Sequence, residues 1–283
     1  MKLVRYGLPG EERPGLIDAD GKLRDLGAYI DDVDRETVRV EKLADLSALD
    51  PATLPEIGGD PRLGPPVNPT TVGKCVCIGL NFSDHAEETG NPIPTEPIVF
   101  MKATSAITGP FDPVILPRGS VKSDWEVELA FVVGKRAKYV PESEALGYVA
   151  GFVNFNDVSE RNYQLERGGQ WTKGKSCDSF APMGPWLVTP DEVGDYDDLA
   201  MWCDVDGERM QDGTSATMIF RVPKIVAYLS DMFALEPGDV IATGTPPGVG
   251  AGMKPPKFLH AGQTMVTGIA KLGEMRNAIR ADD

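Results

Sequence analysis

Short apolar runs recur along the chain, and glycine or proline bounds many of them. Runs of this length predict β-strands, and the strand predictions are CVCIGL, PIVFMK, WEVELAFVV, YVAGFVNF, GPWLVT, LAMWCDVDGERMQ and GDVIAT. Helical signals are fewer, at residues 84–90, 158–167 and 223–234. Because strands and helices do not alternate regularly, the pattern predicts a mixed, β-rich α+β fold, built as a roll or a barrel.

The first 60 residues predict a small N-terminal domain that contains β-strands. KLVRYG and RPGLIDADGKLRDL have the pattern of short strands, with Asp20-Gly21 as a hairpin turn, and Asp206-Gly207 is a second hairpin signal. Proline and glycine are frequent after residue 57, and we place a linker at residues 61–73. The catalytic domain is then expected over residues 74–283.

The amino-acid composition restricts the classes of molecule that the protein is expected to bind. A formal net charge of −15 disfavours binding to nucleic acid or to anionic membranes, so a small molecule is the expected partner. No stretch approaches the roughly 20 apolar residues of a membrane span, and we expect a soluble, cytoplasmic protein. The four cysteines are expected to be reduced, with Cys75 and Cys77 as small apolar side chains on one strand face. With only two histidines, a metal would be held mostly by oxygen.

The segment DWEVELAFVVG places acids at every second position of a strand, at Asp124, Glu126 and Glu128. Side chains alternate between the faces of a strand, so these three carboxylates are expected on one face. Alternating acids also occur on solvated strand faces. Here Ala130 and Val132 continue the same face, which favours burial and a cation; Glu126 and Glu128 could then bind a hard divalent ion.

A third acid, Asp157, ends the apolar run GFVNFN, and a helix is predicted to follow it. A carboxylate at a strand end can bind a metal, and the spacing of Arg161 and Gln164 points both side chains in one direction. Together they would form a pocket for a small oxyacid. The alternative, which this segment leaves open, is that Asp157 caps the helix and Arg161 is a surface charge.

His85 and Glu88 are three residues apart on a predicted short helix. In that geometry the carboxylate can orient the imidazole as a general base, although a lone helical histidine is more often structural. The proline-rich segment 91–97 is expected to flank the helix as a loop, as a lid over a site would.

Two further segments could contact an anion. Lys175 in QWTKGKS and Lys102 after the strand PIVFMK could each stabilise an enolate or another substrate oxyanion, although loop lysines are usually only solvated. The segment ATGTPPGVGAG, which contains Thr245, could bind an anion through backbone N–H groups and hydroxyls.

Taken in order, GLNFSDHAEE, PIVFMK, DWEVELAFVVG, GFVNFNDVSERN, KGKSCDSFAPMGPWLVT and PGDVIATGTPPGVG resemble the fumarylacetoacetate hydrolase family. The N-terminal segment is similar to that of its bacterial branch of 2,4-diketo-3-deoxy-sugar-acid hydrolases. The resemblance implies a β-roll catalytic domain, a homodimer, and Mg²⁺ or Mn²⁺ as the metal. The roles it implies are metal ligands at Glu126, Glu128 and Asp157, catalysis by His85, Glu88 and Lys175, and substrate contacts from Arg161, Gln164, Lys102 and Thr245.

The resemblance also bears on the number of metal ligands and on the role of Asp124. The founding hydrolase has a fourth metal aspartate, but the corresponding place here lies in the apolar CVCIGL, so we expect three protein ligands. Asp124 is then expected to hold a lysine, the backbone or water beside the ligands.

The implied activity is hydrolysis of the C3–C4 bond of a 2,4-dioxo acid, such as a 2,4-diketo-3-deoxy sugar acid, to pyruvate and a hydroxy acid. His85, oriented by Glu88, would activate water, and Lys175 and the metal would stabilise the departing enolate. The alternatives are decarboxylation of an oxaloacetate-like acid, isomerisation of a dienoate, ureidoglycolate cleavage, or a non-catalytic protein that binds a metal or a carboxylate.

Overall fold

A computed structural model describes residues 1–90 and 92–282. Its strands are β1 (Lys2–Tyr6), β2 (Arg13–Ile17), β3 (Leu23–Asp25), β4 (Cys75–Gly79), β5 (Ile98–Lys102), β6 (Ile107–Thr108), β7 (Val114–Leu116), β8 (Ser123–Asp124), β9 (Val127–Val133), β10 (Val149–Asn156), β11 (Ser159–Glu160), β12 (Ala181–Val188), β13 (Ala200–Val205), β14 (Glu208–Thr214), β15 (Val240–Ala242), β16 (Thr264–Ile269) and β17 (Gly273–Ala281). Its α-helices are α1 (Val40–Ser47), α2 (Ser83–Thr89), α3 (Thr172–Lys175), α4 (Pro190–Val193) and α5 (Val222–Met232). Across the described ranges, no helix combines the length and the apolar character needed to span a bilayer.

One large sheet carries most of the strands, in the order β3-β2-β1-β12-β10-β9-β15-β4-β5, with β6 added beside β12. A second sheet has the order β14-β13-β16-β17-β7, and β8 pairs with β11 in a third. No sheet closes on itself within residues 1–90 and 92–282. The fold is therefore the open, mixed, sheet-rich roll of the sequence prediction, and the barrel alternative is wrong.

Strand β9 explains why the central runs are apolar throughout. Leu129 and Phe131 pack into a core that includes Met201 of β13, whereas Ala130 and Val132 pack into a separate core on the other face. Because both faces of the large sheet are covered, its central strands need apolar residues at successive positions. Cys75 and Cys77 of β4 lie together in that second core as free, buried thiols, as predicted.

The N-terminal strands extend the large sheet. Strand β1 pairs antiparallel with β12, through Lys2 with Val188 and Leu3 with Leu187. The predicted hairpins are confirmed. Strand β2 pairs with β3 across the Asp20-Gly21 turn, and β13 pairs with β14 across the Asp206-Gly207 turn. Asp206 and Gly207 both have positive φ. The division at residues 61–73 stays a prediction, and in the structure the first three strands share one sheet with the rest of the chain.

The region after β10 differs from the predicted helix over 158–167. Ser159 and Glu160 form β11, which pairs antiparallel with β8, and only Asn162–Glu166 is helical, in a π-helical segment. The buried carboxylate of Glu160 accepts hydrogen bonds from the hydroxyls of Ser120 and Ser123. The pairing with β8 holds the backbone extended for these two residues, so the helical segment starts later than its periodicity suggests.

One edge of the large sheet brings distant segments together. Strands β10 and β9 are antiparallel, so the end of β10 lies beside the start of β9, where Phe155 faces Glu128. Strand β15 runs parallel to β4 and antiparallel to β9, so the chain leaves β4, β10 and β15 at this same edge. The loops that begin there carry the candidate site.

Candidate active site and metal centre

Three buried carboxylates, Glu126, Glu128 and Asp157, form a cluster at this edge. Each offers one oxygen that lies within 4.8 Å of the other two. The antiparallel pairing of β9 and β10 accounts for the cluster, because the N–H of Asp157 donates to the carbonyl of Glu126 at 2.9 Å. Three hard oxygen donors at this separation suit a divalent cation such as Mg²⁺ or Mn²⁺, so the residues fit the metal that the sequence implied.

Buried cations contact one side of this triad. The Lys175 ammonium lies 2.6 Å from Oε2 of Glu126 and 2.7 Å from Oδ2 of Asp157. Lys102 donates to Oδ1 of Asp157 at 2.5 Å and to the carbonyl of Val158 at 3.1 Å. The second oxygen of Glu126 lies 2.7 Å from the guanidinium of Arg161. Glu126 and Asp157 therefore each contact two positive groups.

Glu128 lies on the other side of the triad, and no Lys, Arg or His within residues 1–90 and 92–282 forms an ion pair with it. Its Oε2 accepts a hydrogen bond from the backbone N–H of Gly244 at 2.8 Å. Burial, Asp157 and Glu126 together raise the pKa of Glu128 well above its usual value. Burial also acts to raise the pKa of Glu126, but Lys175 and Arg161 outweigh it and lower that pKa to about 2. Two glutamates two residues apart thus have opposite shifts.

Lys175 itself stays charged in this environment. Burial acts to lower its pKa, yet the carboxylates of Asp157 and Glu126 outweigh burial and raise the pKa above its usual value. The side chain is 2% exposed, so its charge acts with little screening by water. A fixed ammonium group at the floor of a cavity can stabilise negative charge that develops on a bound molecule.

Asp124 contacts Arg161 and backbone N–H groups beside the carboxylate triad, but it does not lie on one uninterrupted strand with Glu126 and Glu128. Strand β8 ends at Asp124 and β9 begins at Val127, so the three acids do not share one regular strand face. Asp124 accepts hydrogen bonds from the N–H groups of Gly250 and Ala251 and lies 2.8 Å from Nη2 of Arg161. It thereby fixes both the arginine and the loop after β15.

His85 and Glu88 form the pair that the spacing predicted. Helix α2 spans Ser83–Thr89, and Nδ1 of His85 lies 2.9 Å from Oε2 of Glu88. The other oxygen of Glu88 accepts from the N–H of Gly248 at 2.9 Å, which fixes the carboxylate. In this arrangement Nδ1–H donates to the carboxylate, and Nε2 of a neutral ring is available to take a proton.

Arg161, Gln164 and Thr245 lie around the same site. Nη1 of Arg161 donates to Oε1 of Gln164 at 3.0 Å, as the spacing of three predicted. The hydroxyl of Thr245 donates to the carbonyl of Val127 and accepts from Gln211, each at 2.8 Å. All three side chains are therefore held in place, and their contact with substrate stays a prediction.

A cavity of about 690 Å³ opens over these groups. Eight of the ten predicted site residues line it: His85, Glu88, Glu126, Glu128, Arg161, Gln164, Lys175 and Thr245. Asp157 lies beneath this surface, 0% exposed. Lys102 is also absent from the lining, and its buried ammonium contacts Asp157; this placement differs from the substrate contact expected of it. Asn91, the first residue of the segment expected to act as a lid, lies outside the described residues, and the lid stays a prediction.

One side of the cavity consists of apolar residues that the sequence analysis missed. Phe100 and Trp171 contact each other edge to face, with ring centroids 5.3 Å apart, and Ile98 and Leu165 line the cavity with them. We call these four residues the apolar wall. The available signal was Trp171, a large aromatic residue within the polar, glycine-rich sequence RGGQWTKGK.

A sheet-rich fold whose cavity combines a buried carboxylate triad with a histidine-glutamate pair defines the protein as an enzyme with a candidate metal centre. The chain belongs to the fumarylacetoacetate hydrolase family, because residues 74–280 match the model described as Fumarylacetoacetate (FAA) hydrolase C-terminal. It is 56% identical, over 282 residues and 99% of both chains, to a Burkholderia multivorans protein provisionally named a hydrolase.

Solved structures of two kinds of enzyme resemble the chain. Fumarylacetoacetate hydrolase from Exiguobacterium antarcticum superposes with a TM-score of 0.86 at 34% identity, over 100% of both chains. The 2-hydroxyhepta-2,4-diene-1,7-dioate isomerase from Mycobacterium marinum superposes with a TM-score of 0.76 at 30% identity, over 100% of this chain and 99% of that one. The family therefore includes both hydrolases and isomerases.

Proposed function

We propose that the protein is a divalent-metal-dependent hydrolase that cleaves the C3–C4 bond of a 2,4-dioxo acid to pyruvate and a carboxylic acid. The observation that carries this proposal is the His85–Glu88 pair, which lines the same cavity as Glu126 and Glu128. Hydrolysis needs a base for water beside a site that binds the dioxo acid. The provisional hydrolase name of the 56% identical relative agrees with it.

Glu126, Glu128 and Asp157 would hold the metal, which we propose is Mg²⁺ or Mn²⁺. When bound, such an ion supplies Lewis acidity to the oxygen atoms of a 2-oxo acid. Asp124 and Arg161 do not reach the cation directly in this scheme. They hold Glu126 in position through the 2.7 Å contact between the guanidinium and Oε1 of that glutamate.

The side chains would divide the reaction between them. Nε2 of His85 takes a proton from water as the hydroxide adds to the 4-carbonyl, and Glu88 stabilises the resulting imidazolium. The C3–C4 bond then breaks, and its electron pair leaves as the enolate of pyruvate. C3 of the enolate takes the proton held by His85, which returns the ring to its neutral form. The charged Lys175 donates hydrogen bonds to the developing oxyanion, and Arg161 and Gln164 orient the substrate.

A second candidate function is isomerisation of a dienoate, or decarboxylation of an oxaloacetate-like acid. The similarity to the M. marinum isomerase favours keeping it, because the same carboxylates and lysine could stabilise an enolate without any attack by water. These activities differ from hydrolysis in the need for a base beside the scissile carbonyl. Ureidoglycolate cleavage and binding without turnover are the remaining alternatives.

A substrate panel tests the proposal. Purified protein with Mg²⁺ or Mn²⁺ is given acylpyruvates, a 2,4-diketo-3-deoxy sugar acid, oxaloacetate, ureidoglycolate and a 2-hydroxydienoate, and the products are separated by chromatography. We expect equal amounts of pyruvate and acid from a 2,4-dioxo acid. If no dioxo acid releases pyruvate, the hydrolase proposal is wrong, and turnover of oxaloacetate or the dienoate alone would select the second candidate.

The sugar-acid substrate and the homodimer, both implied by the resemblance, belong to this proposal. The sugar acid is one member of the panel, so its turnover is compared directly with that of simpler acylpyruvates. Light scattering of the purified protein during gel filtration checks the dimer, for which we expect twice the 30.5 kDa chain mass.

A further inference from the structure

We propose that the substrate's acyl group, the part beyond the 4-carbonyl, is apolar and packs against the apolar wall of Ile98, Phe100, Leu165 and Trp171. This inference rests on the proposed function, since it assumes that a 2-oxo acid binds over the carboxylate triad. The proposal gives the wall a role in specificity that is separate from the chemistry at the floor of the cavity.

The wall is built by close packing. A Cβ atom placed on Gly79 would lie 2.4 Å from Cζ3 of Trp171 and 3.5 Å from Cγ2 of Ile98, so the absence of a side chain there lets the indole lie directly on the end of β4. Phe100 fixes the indole from another direction, with an interplanar angle of 69°. Trp171 is thus held in one place at the side of the cavity.

The apolar wall also lies beside Lys175, one of the charged groups at the base of the cavity. The Lys175 ammonium lies 5.2 Å from the ring centroid of Phe100, and Lys175 ends helix α3, which begins one residue after Trp171. A dioxo acid whose 2-oxo carboxylate end lies over the triad would therefore extend its other end along this wall. Ile98 and Leu165 are both exposed, which leaves the far end of the wall open to a longer group.

A polyhydroxylated group fits this side of the cavity poorly. Each hydroxyl placed against the two aromatic rings would lose its hydrogen bonds to water without replacement, which is unfavourable. The charged groups of the floor already bond to one another, as Lys175 does with Glu126 and Asp157. Of the other charged side chains that line the cavity, Glu87 and Lys254 are exposed. An alkyl or aryl group instead gains contact area along the wall.

Binding of non-cleavable acids tests the wall apart from catalysis. Pyruvate, 2-oxobutanoate, 2-oxopentanoate and 2-oxohexanoate lack a 4-carbonyl, so they cannot be hydrolysed, and calorimetry with Mg²⁺ gives the Kd of each. We expect the Kd to fall by roughly fourfold per added methylene. A Kd that does not change along the series, or tighter binding of 2-oxo-3-deoxygluconate than of 2-oxohexanoate, would overturn the proposal.

Variants at Trp171 locate the effect. We expect W171A to abolish the dependence of Kd on chain length and to leave the Kd of pyruvate within about twofold, while W171F keeps part of the dependence. W202A is the matched control, because Trp202 is also partly buried and packs on a glycine, Gly268, but does not line the cavity. Its Kd values should equal those of the unaltered protein.

The two proposals can fail separately. If 2-oxohexanoate binds more tightly than pyruvate but no dioxo acid is cleaved, the wall is supported and the hydrolase function is wrong. If dioxo acids are cleaved but the sugar acid has a higher kcat/KM than an acylpyruvate with an alkyl or phenyl group, the function is supported and the apolar specificity is wrong. A W171A variant that keeps the full chain-length dependence would also overturn the assignment of the wall.

Discussion

The two sides of the carboxylate triad differ in their electrostatics. On one side, Glu126 and Asp157 contact the buried cations Lys175, Lys102 and Arg161. On the other side, Glu128 has a backbone N–H as its hydrogen-bond donor, and its pKa is raised where that of Glu126 is lowered. The same residue type, at two positions that are two residues apart in the chain, therefore has its pKa shifted in opposite directions.

This difference indicates which carboxylate a bound cation would compensate. Four buried carboxylates meet at the site, counting Asp124, but three buried cations face them. A divalent ion beside Glu128 would compensate the unpaired charge, and Glu128 would have to release its proton to bind it. The charges of Glu126 and Asp157 are compensated by side chains of the protein, whereas the charge of Glu128 would be compensated by a bound metal ion. The following expectations test this contrast, beginning with the largest effect.

Glu126→Gln should remove metal-dependent turnover. The change deletes the negative charge of one ligand, and Lys175 and Arg161 each lose one of the two carboxylates that they contact. We therefore expect kcat/KM to fall at least about 10³-fold and the Tm of the metal-free protein to fall as well. Steady-state kinetics at several Mg²⁺ concentrations and thermal unfolding measure the two effects. Asp239→Asn is the control, because Asp239 is a buried acid paired with Lys74 at 2.6 Å outside the cavity. Undiminished activity of Glu126→Gln would mean that the metal site is misplaced.

Lys175→Met should separate metal binding from catalysis. Removing a positive charge that lies between Glu126 and Asp157 should not weaken Mn²⁺ binding, whereas loss of the oxyanion donor should lower kcat by about 10²-fold. Calorimetry with Mn²⁺ and kinetics give the two values. Lys173→Met, on the same short helix but exposed, should match the unaltered protein. A parallel loss of Mn²⁺ affinity and activity would instead make Lys175 a structural support of the ligands.

Glu88→Gln should lower the rate of hydrolysis by about tenfold to hundredfold, a part of the usual contribution of a general base. The amide cannot stabilise the imidazolium that forms when His85 takes a proton from water, so the step that activates water should become slower. Glu87→Gln, one residue earlier on helix α2, is the control, for which we expect no change. If steady-state kinetics give Glu88→Gln the same rate of hydrolysis as the unaltered protein, the pair does not act on water.

For Glu128→Gln, the expected change in thermal stability is the smallest of these effects. It is also the most direct test of the contrast between Glu126 and Glu128. The folded-state pKa of Glu128 is raised, so its contribution to stability is complete below the unfolded-state pKa, near 4.3, and is lost as pH rises through the folded-state value. We therefore expect metal-free Glu128→Gln to unfold a few degrees higher than the unaltered protein at pH 8, with a smaller difference at pH 5. Added Mg²⁺ should stabilise the unaltered protein more than the variant.

Glu126→Gln is the variant with which Glu128→Gln is compared. Both variants should lose activity, but their metal-free Tm values at pH 8 should move in opposite directions. Thermal unfolding in EDTA measures both under the same conditions. A lower Tm for Glu128→Gln at pH 8 would mean that Glu128 is ionised and favourably paired without metal, and the contrast between the two sides would be wrong.

Much of the fold could be predicted, because strands β4, β5, β9, β10 and β12 are long apolar runs between glycine and proline. Strands β16 and β17 were missed, and β17 has the pattern of a half-exposed strand whose partners lie on both sides in the second sheet. The helix predicted over 158–167 was wrong at its start. There the pairing of Ser159 with Asp124 overrides local periodicity, and that partner lies 35 residues earlier in the chain.

In the candidate site, too, contacts between residues close in sequence could be predicted, and contacts between distant residues could not. The spacing was enough to predict the contact of His85 with Glu88 and the common direction of Arg161 and Gln164, because each pair lies within one helical turn. The role of Lys102 could not be predicted in this way. Its partner is 55 residues away, and only the packing of β5 beneath the cavity brings its ammonium to Asp157.

By itself, the sequence determined which residues could do chemistry and that Glu128 lies on a buried strand, since side-chain type and local spacing are properties of the chain. Only the tertiary structure decided which carboxylates are paired, that Asp124 bonds to Arg161 from a separate strand, and that Trp171 forms a side of the cavity. The physical reason is that pKa shifts and packing depend on burial and on charges a few ångströms away in space. Most of those neighbours are far apart along the chain.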